Sequence, residues 1–216
     1  MSYERRRFLC ILLTTCAIVV VGLWGTVLPA PRAVIETMSP KGASTARVAT
    51  LLAAYQGTST LGLVQKSSGC VINGALPDSA CTPGAVFPDA APPAICVPGY
   101  TKGVRSVSAK LKKQIYTAYG IAYPPPTGTY ELDHLVPLAL GGSNDAADLF
   151  PEAASPAPGF KEKDVVEVYL YQEMCAGRLP LAAAQVQIAS NWLVVYQALD
   201  PNDIASIKAK YKSWAN

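Results

Sequence analysis

The only histidine of this 216-residue chain, His134, directly follows an acid, Asp133. Neutral imidazole has its pKa near working pH and can take a proton from water. A carboxylate beside it offers the oxygen that a hard divalent cation prefers. With a single histidine available, a separate Ser–His–Asp or Cys–His site has no base. A lone histidine in a strand also has an ordinary packing or surface role open to it, so the residues around the pair decide how it is read.

Leu132, Leu135, Val136 and Leu138 surround the pair with β-compatible apolar residues and predict a short strand. Gly141-Gly142 breaks it, Ser143, Asn144 and Asp145 supply turn-forming side chains, and Leu149-Phe150 forms a second apolar run before Pro151. The stretch 130–151 therefore predicts a hairpin with an oversized connection. Neighbouring side chains on a strand point to opposite faces, so Asp133 and His134 share a site only at a strand end or distortion. Asn144 has a bland role open to it, an Asx-turn.

The elements that must position this hairpin are mostly helical. Ser108 caps a predicted helix to about Tyr119, with Val107, Leu111, Ile115 and Tyr119 on one face and Gly120 as its stop. Lys102, Arg105, Lys110, Lys112 and Lys113 fall in residues 101–120 without an acid. They form either the solvated face of a docked helix or a phosphate-contacting surface. After an irregular stretch, a helix is predicted over 161–174. It carries Asp164, Glu167 and Tyr171 on one face and Val166, Leu170 and Met174 on another. A further helix over 181–198 places Ala184, Ile188, Trp192 and Val195 at core spacing, with Pro180 before its start. Residues 203–214 suggest a short basic helix.

The run Glu131, Asp133, His134, Pro137, Leu138, Gly141, Gly142, followed by Asp148-Leu149-Phe150-Pro151-Glu152, resembles the HNH (ββα-metal) nuclease superfamily. It is closest to the bacterial branch with the pattern Glu-x-Asp-His-x-x-Pro-Leu-x-x-Gly-Gly and then Asn-Leu-Trp-Pro-Glu. The likeness continues through Lys163-Asp164-x-x-Glu167, Cys175-x-Gly177, Ala184-Gln185 and Trp192, and covers roughly residues 95–196. It implies an α+β fold: a ββα-metal hairpin-plus-helix unit packed with additional helices and disulfide-pinned irregular segments. It also implies that His134 activates water against a phosphodiester and that one divalent ion, Mg2+ or Mn2+, stabilises the developing charge. Asp133 would hold that ion, with Asp164 as first and Glu167 as second helix ligand, because no downstream histidine exists. The family's asparagine is Asp148 here. It is expected to orient the imidazole, with recruitment to the metal or a raised histidine pKa as its other possible effects. Arg105, Lys110 and Lys113 become the expected substrate contacts.

Net charge is +3 with 15% charged residues, so no overwhelming basic field announces nucleic acid, and 18 Pro with 16 Gly imply many turns. Arg5-Arg6-Arg7 precede an uncharged run from Phe8 to Leu28, which reads as a secretory signal or, if not cleaved, a membrane anchor. Residues 1–33 are assigned to that segment, 34–67 to a linker with a possible helix near 45–56, and 68–216 to the domain. Cys70, Cys81, Cys96 and Cys175 remain in the exported part. An even number there suggests disulfides, with a zinc site as the rival reading, although no Cys-x-x-Cys pair or nearby histidine supports it. Local closure of Cys70 with Cys81 leaves Cys96 with Cys175.

The function expected from this reading is an exported metal-dependent endonuclease acting on DNA or RNA. The alternative is an inactive envelope module that binds nucleic acid or another polyanion on the same scaffold, and a third reading is hydrolysis of a smaller phosphoester. No protein partner and no base-reading module are evident.

Overall fold

The structure, a computed structural model, describes residues 61–211. Helix α1 spans Pro92–Ile95, α2 Tyr100–Val104 and α3 Ala109–Ala118; strand β1 covers Tyr130–His134 and β2 Leu149–Ala153. Helices α4 (Phe160–Cys175), α5 (Leu181–Ala198) and α6 (Pro201–Lys210) complete the order. The fold is α+β, with one small two-stranded sheet among the described residues. The segment 1–60, including the apolar run, the possible helix near 45–56 and most of the assigned linker, lies outside them. Among the described residues no helix is long and apolar enough to cross a membrane.

The predicted helices form where their apolar spacing and caps place them. Ser108 Oγ accepts from Leu111 N at 3.1 Å and starts α3, satisfying a donor that the first helical turn leaves unpaired. Val166, Leu170 and Met174 of α4 are buried, as are Ala184, Ile188, Trp192 and Val195 of α5. Helix α5 is interrupted at Asn191, whose backbone is extended (φ −168°) and whose Oδ1 accepts from Leu193 N at 3.1 Å, capping the second half. The last predicted helix is seen as α6, with Asp200 accepting from Asn202 N and Pro201 in its first turn. The segment 61–67, read as linker, joins the domain: Gly62 N donates to Gly84 O, Gln65 N donates to Ala80 O, and Leu61 packs against the core.

The hairpin lies between two apolar clusters. Leu135, Leu149 and Phe150 pack with Ile115 of α3, with Tyr119 just past its end, and with the Cys70–Cys81 pair. Val136 and Leu140 face the other way, into a core built by α4, α5 and α6 around Trp192, Leu170 and Ile188. Consecutive residues Leu135 and Val136 thus enter opposite cores, and each large side chain buried there contributes about 1.5–3 kcal/mol. Both disulfides pair as the spacing suggested, Cys70 with Cys81 and Cys96 with Cys175. The second joins the end of α1 to the end of α4. Such bonds are compatible with an extracellular or otherwise oxidising compartment.

Candidate active site

β1 pairs antiparallel with β2, with Asp133 opposite Phe150 and His134 opposite Leu149. The strand stops at His134, short of Leu138 where the apolar pattern had carried it. The reason is local. Leu135 N still donates across to Asp148 O at 2.7 Å, but Asp148 N turns away to Asp145 O at 2.9 Å. Val136 N donates to the Asp148 side chain, Oδ1, at 2.9 Å, while Pro137 has no N–H to offer a ladder. A 3-10 turn, Leu138–Leu140, follows. Gly141 then takes φ +78°, a left-handed conformation that glycine adopts readily. At Gly142 a Cβ would stand 1.6 Å from the Val136 carbonyl oxygen, so only glycine fits. The loop is docked on α5 by Gln185, whose Nε2 donates to Leu140 O at 2.8 Å.

This loop delivers Asn144 to the histidine. Asn144 Oδ1 lies 3.3 Å from His134 Nε2 and accepts from Ser106 N at 3.2 Å, while its Nδ2 donates to Val104 O at 2.8 Å. The two backbone partners settle which way the amide points. Its oxygen faces the ring, so Nε2 must be the protonated nitrogen and Nδ1 keeps its lone pair. Burial is the main reason the imidazole is held below its ordinary pKa, with the Asp133 charge and the Asn144 contact acting the other way. The ring is therefore neutral at neutral pH. It is 2% exposed, so the water it can activate is one admitted to the site rather than bulk solvent.

Asp133 points to the opposite side, into a carboxyl cluster built around Lys163. Lys163 Nζ donates to Asp133 Oδ2 at 2.5 Å, to the His134 carbonyl at 2.7 Å and to Glu167 Oε1. It also stands 3.9 Å from Glu152 Oε2. Glu152 is buried, with its carboxyl against that of Asp133. Burial first, then the neighbouring Asp133 charge, push the carboxyls of Glu131 and Asp164 up to about 7. Burial likewise raises Glu167 to about 8, against the opposing pull of Lys163. Burial also raises Asp133, but its hydrogen bond and charge contact with Lys163 outweigh that and keep it ionised. Glu131 and Glu152 were not singled out as site residues from the sequence.

The expected site residues separate into groups. His134 and Asp133 occur together at the strand end, and Glu167 reaches Asp133 through Lys163. Asp148 is fully buried, but its hydrogen bonds run to Val136 N and Ala85 N, so it braces the loop; the imidazole's partner is Asn144. Arg105 is exposed, and its charge is felt by both His134 and Glu131. Lys110 and Lys113 instead line a cavity of about 610 Å³ with Leu111, Ile115 and Tyr119, which does not include His134. Lys163 had a readable signal: it precedes Val166 by three and Leu170 by seven, on the stripe that faces the core.

The donor chemistry of this cluster, carboxylate oxygen, suits a hard cation. The arrangement does not fit one as it stands. Lys163 engages one oxygen of Asp133 and one of Glu167, and with that amine in place no three His, Cys, Asp or Glu side chains among the described residues are set to hold a metal ion. The molecule is thus an α+β, disulfide-bridged domain whose one histidine is held in a defined tautomer beside a lysine-centred carboxyl cluster. No family model, curated protein or solved structure matches the chain.

Proposed function

We propose that the chain is an exported phosphodiester hydrolase acting on nucleic acid, on a hairpin-and-helix scaffold of the ββα kind. One observation carries the reading: Asn144 fixes His134 with Nε2–H donated and Nδ1 free, at the strand end where the resemblance puts a general base. A neutral ring in this state takes the proton of an attacking water through Nδ1. Arg105 supplies positive charge near the ring, suited to a phosphate oxygen. Lys110 and Lys113, on the same basic stretch, would meet the nucleic-acid backbone farther along. Lys163 occupies the carboxylates expected to bind a divalent ion. The two disulfides support export, secreted or periplasmic or anchored through residues 8–28.

The test is cleavage of plasmid DNA and of RNA by the full-length chain with Mg2+, with Mn2+ and with a chelator, so that the ion requirement is read separately from the chemistry. His134→Ala is expected to abolish cleavage while remaining folded. Full cleavage by that folded variant would remove the proposal. A second reading, a polyanion-binding module without catalysis, is favoured by the enclosure of His134. Salt-sensitive DNA binding with no cleavage in any of these conditions would select it.

A further inference from the structure

Oxygens from three elements converge on one buried nitrogen. Asp133 comes from β1, Glu152 from β2 and Glu167 from α4, and the His134 carbonyl completes the set. The nitrogen is Lys163 Nζ, on a side chain 0% exposed. An ammonium has three hydrogens to donate and no lone pair. All three have acceptors here, in Asp133, Glu167 and the His134 carbonyl. Glu152 stands just outside hydrogen-bonding range, at 3.9 Å.

Carboxylate and carbonyl oxygens gathered about one point are the donor set of a hard cation. In this chain the cation is carried on a side chain. A divalent ion sharing those oxygens would sit beside the ammonium in a region shielded from water, where like charges repel far more strongly than in solvent. Lys163 also reaches the histidine's own backbone, so the same ammonium fixes the strand end from which His134 projects.

We propose that Lys163 is the built-in cation of the hairpin–helix junction: its ammonium fills the oxygen site formed by Asp133, Glu152, Glu167 and the His134 carbonyl, and excludes a divalent metal from it. The hidden corollary is a latent metal site, opened by removing the amine. This holds whether or not the chain cleaves nucleic acid, and its test reads metal binding rather than turnover.

Mn2+ is titrated into the full-length chain and free Mn2+ is followed by electron paramagnetic resonance. The wild type is expected to take up no ion at the junction up to about 1 mM, the weak end of protein sites for hard cations. Uptake unchanged by Asp133→Asn lies elsewhere and agrees with this. Uptake of one Mn2+ by the wild type that Asp133→Asn removes would overturn the proposal. Lys163→Ala is expected to gain a Mn2+ site at least tenfold tighter than any at the wild-type junction. Its melting temperature should rise by roughly 5–10 °C at a hundredfold excess over the dissociation constant, with no such rise in the wild type. A folded Lys163→Ala chain that takes up no Mn2+ also overturns it. Should that variant fail to fold, the wild-type and Asp133→Asn titrations decide alone.

Discussion

At His134 the nitrogen available for chemistry is chosen by a residue on the far side of the loop. Asn144 holds Nε2–H and leaves Nδ1 as the acceptor. Asn144→Ala should therefore lower cleavage on the order of tenfold or more, the scale of a mispositioned general base. Asn144→Asp should keep the acceptor but place a charge against the ring, raising the histidine pKa. The acid limb of the pH–rate profile should then move to higher pH, a shift that a purely structural role for Asn144 would not produce. Asp148 behaves differently. Burial is what raises its carboxyl pKa well above the usual range, against two backbone hydrogen bonds that lower it. Unfolded, it ionises at about 4; folded, it keeps its proton to higher pH. The unfolded state then binds fewer protons, so this residue's contribution falls as pH rises above the ordinary carboxylate range. Asp148→Asn keeps the Oδ1 acceptor and removes that loss. Its melting temperature should match the wild type near pH 4 and exceed it near pH 8. A lower value at pH 8 would mean that the ionised carboxylate is needed. Asp133 and His134 were legible in the sequence because an unusual pair stood inside a patterned run. Asn144 was not, since it acts through partners distant in sequence, Val104 and Ser106; of Lys163 only its place on the core-facing stripe was readable, not its partners Asp133 and Glu152.

The hairpin's connection is an element with almost no tolerance for added atoms. Gly142→Ala would put a methyl carbon 1.6 Å from a backbone oxygen of Val136 and 2.8 Å from Asp148 Oδ2. Backbone cannot yield as a flexible side chain would. The substitution should destabilise by more than about 4 kcal/mol, in the exceptional range, or prevent folding. Denaturant titration checks it, and a loss under 1 kcal/mol would show that the loop is not fixed as described. Helix α3 gives a milder case: Ser108→Ala removes one capping bond and should lower stability by about 1 kcal/mol. The two elements were not equally legible. Caps and apolar stripes are properties of neighbouring residues, so α3, α4 and α5 lay where their spacing put them. The end of β1 depends on Asp148, which approaches from the other arm of the hairpin, and an alternating apolar run carries no sign of that.

At the scale of the molecule, much of the segment before the hairpin has little regular structure to hold it. Residues 61–91 contain no helix and no named strand among those described. Their hold on the domain comes from scattered backbone bonds, from Thr82 and Tyr119, whose hydroxyls meet at 2.7 Å, and from Cys70 and Cys81 buried against α3. The two bridges therefore do different work. Cys70–Cys81 closes a short loop, at a separation of 11, whereas Cys96–Cys175 spans 79 residues and binds α1 to the helix behind the candidate site. Chain-entropy reasoning gives the short bridge about 2.8 kcal/mol and the long one about 4.5 kcal/mol. The loops do not overlap in sequence, so the effects should add closely. Paired Ser substitutions at Cys96 and Cys175 should lower the free energy of unfolding by more than those at Cys70 and Cys81, measured by denaturant titration under oxidising conditions. The reverse order would mean that packing of the Cys70–Cys81 pair against Ile115 and Tyr119, rather than restriction of the unfolded chain, governs what these bridges contribute.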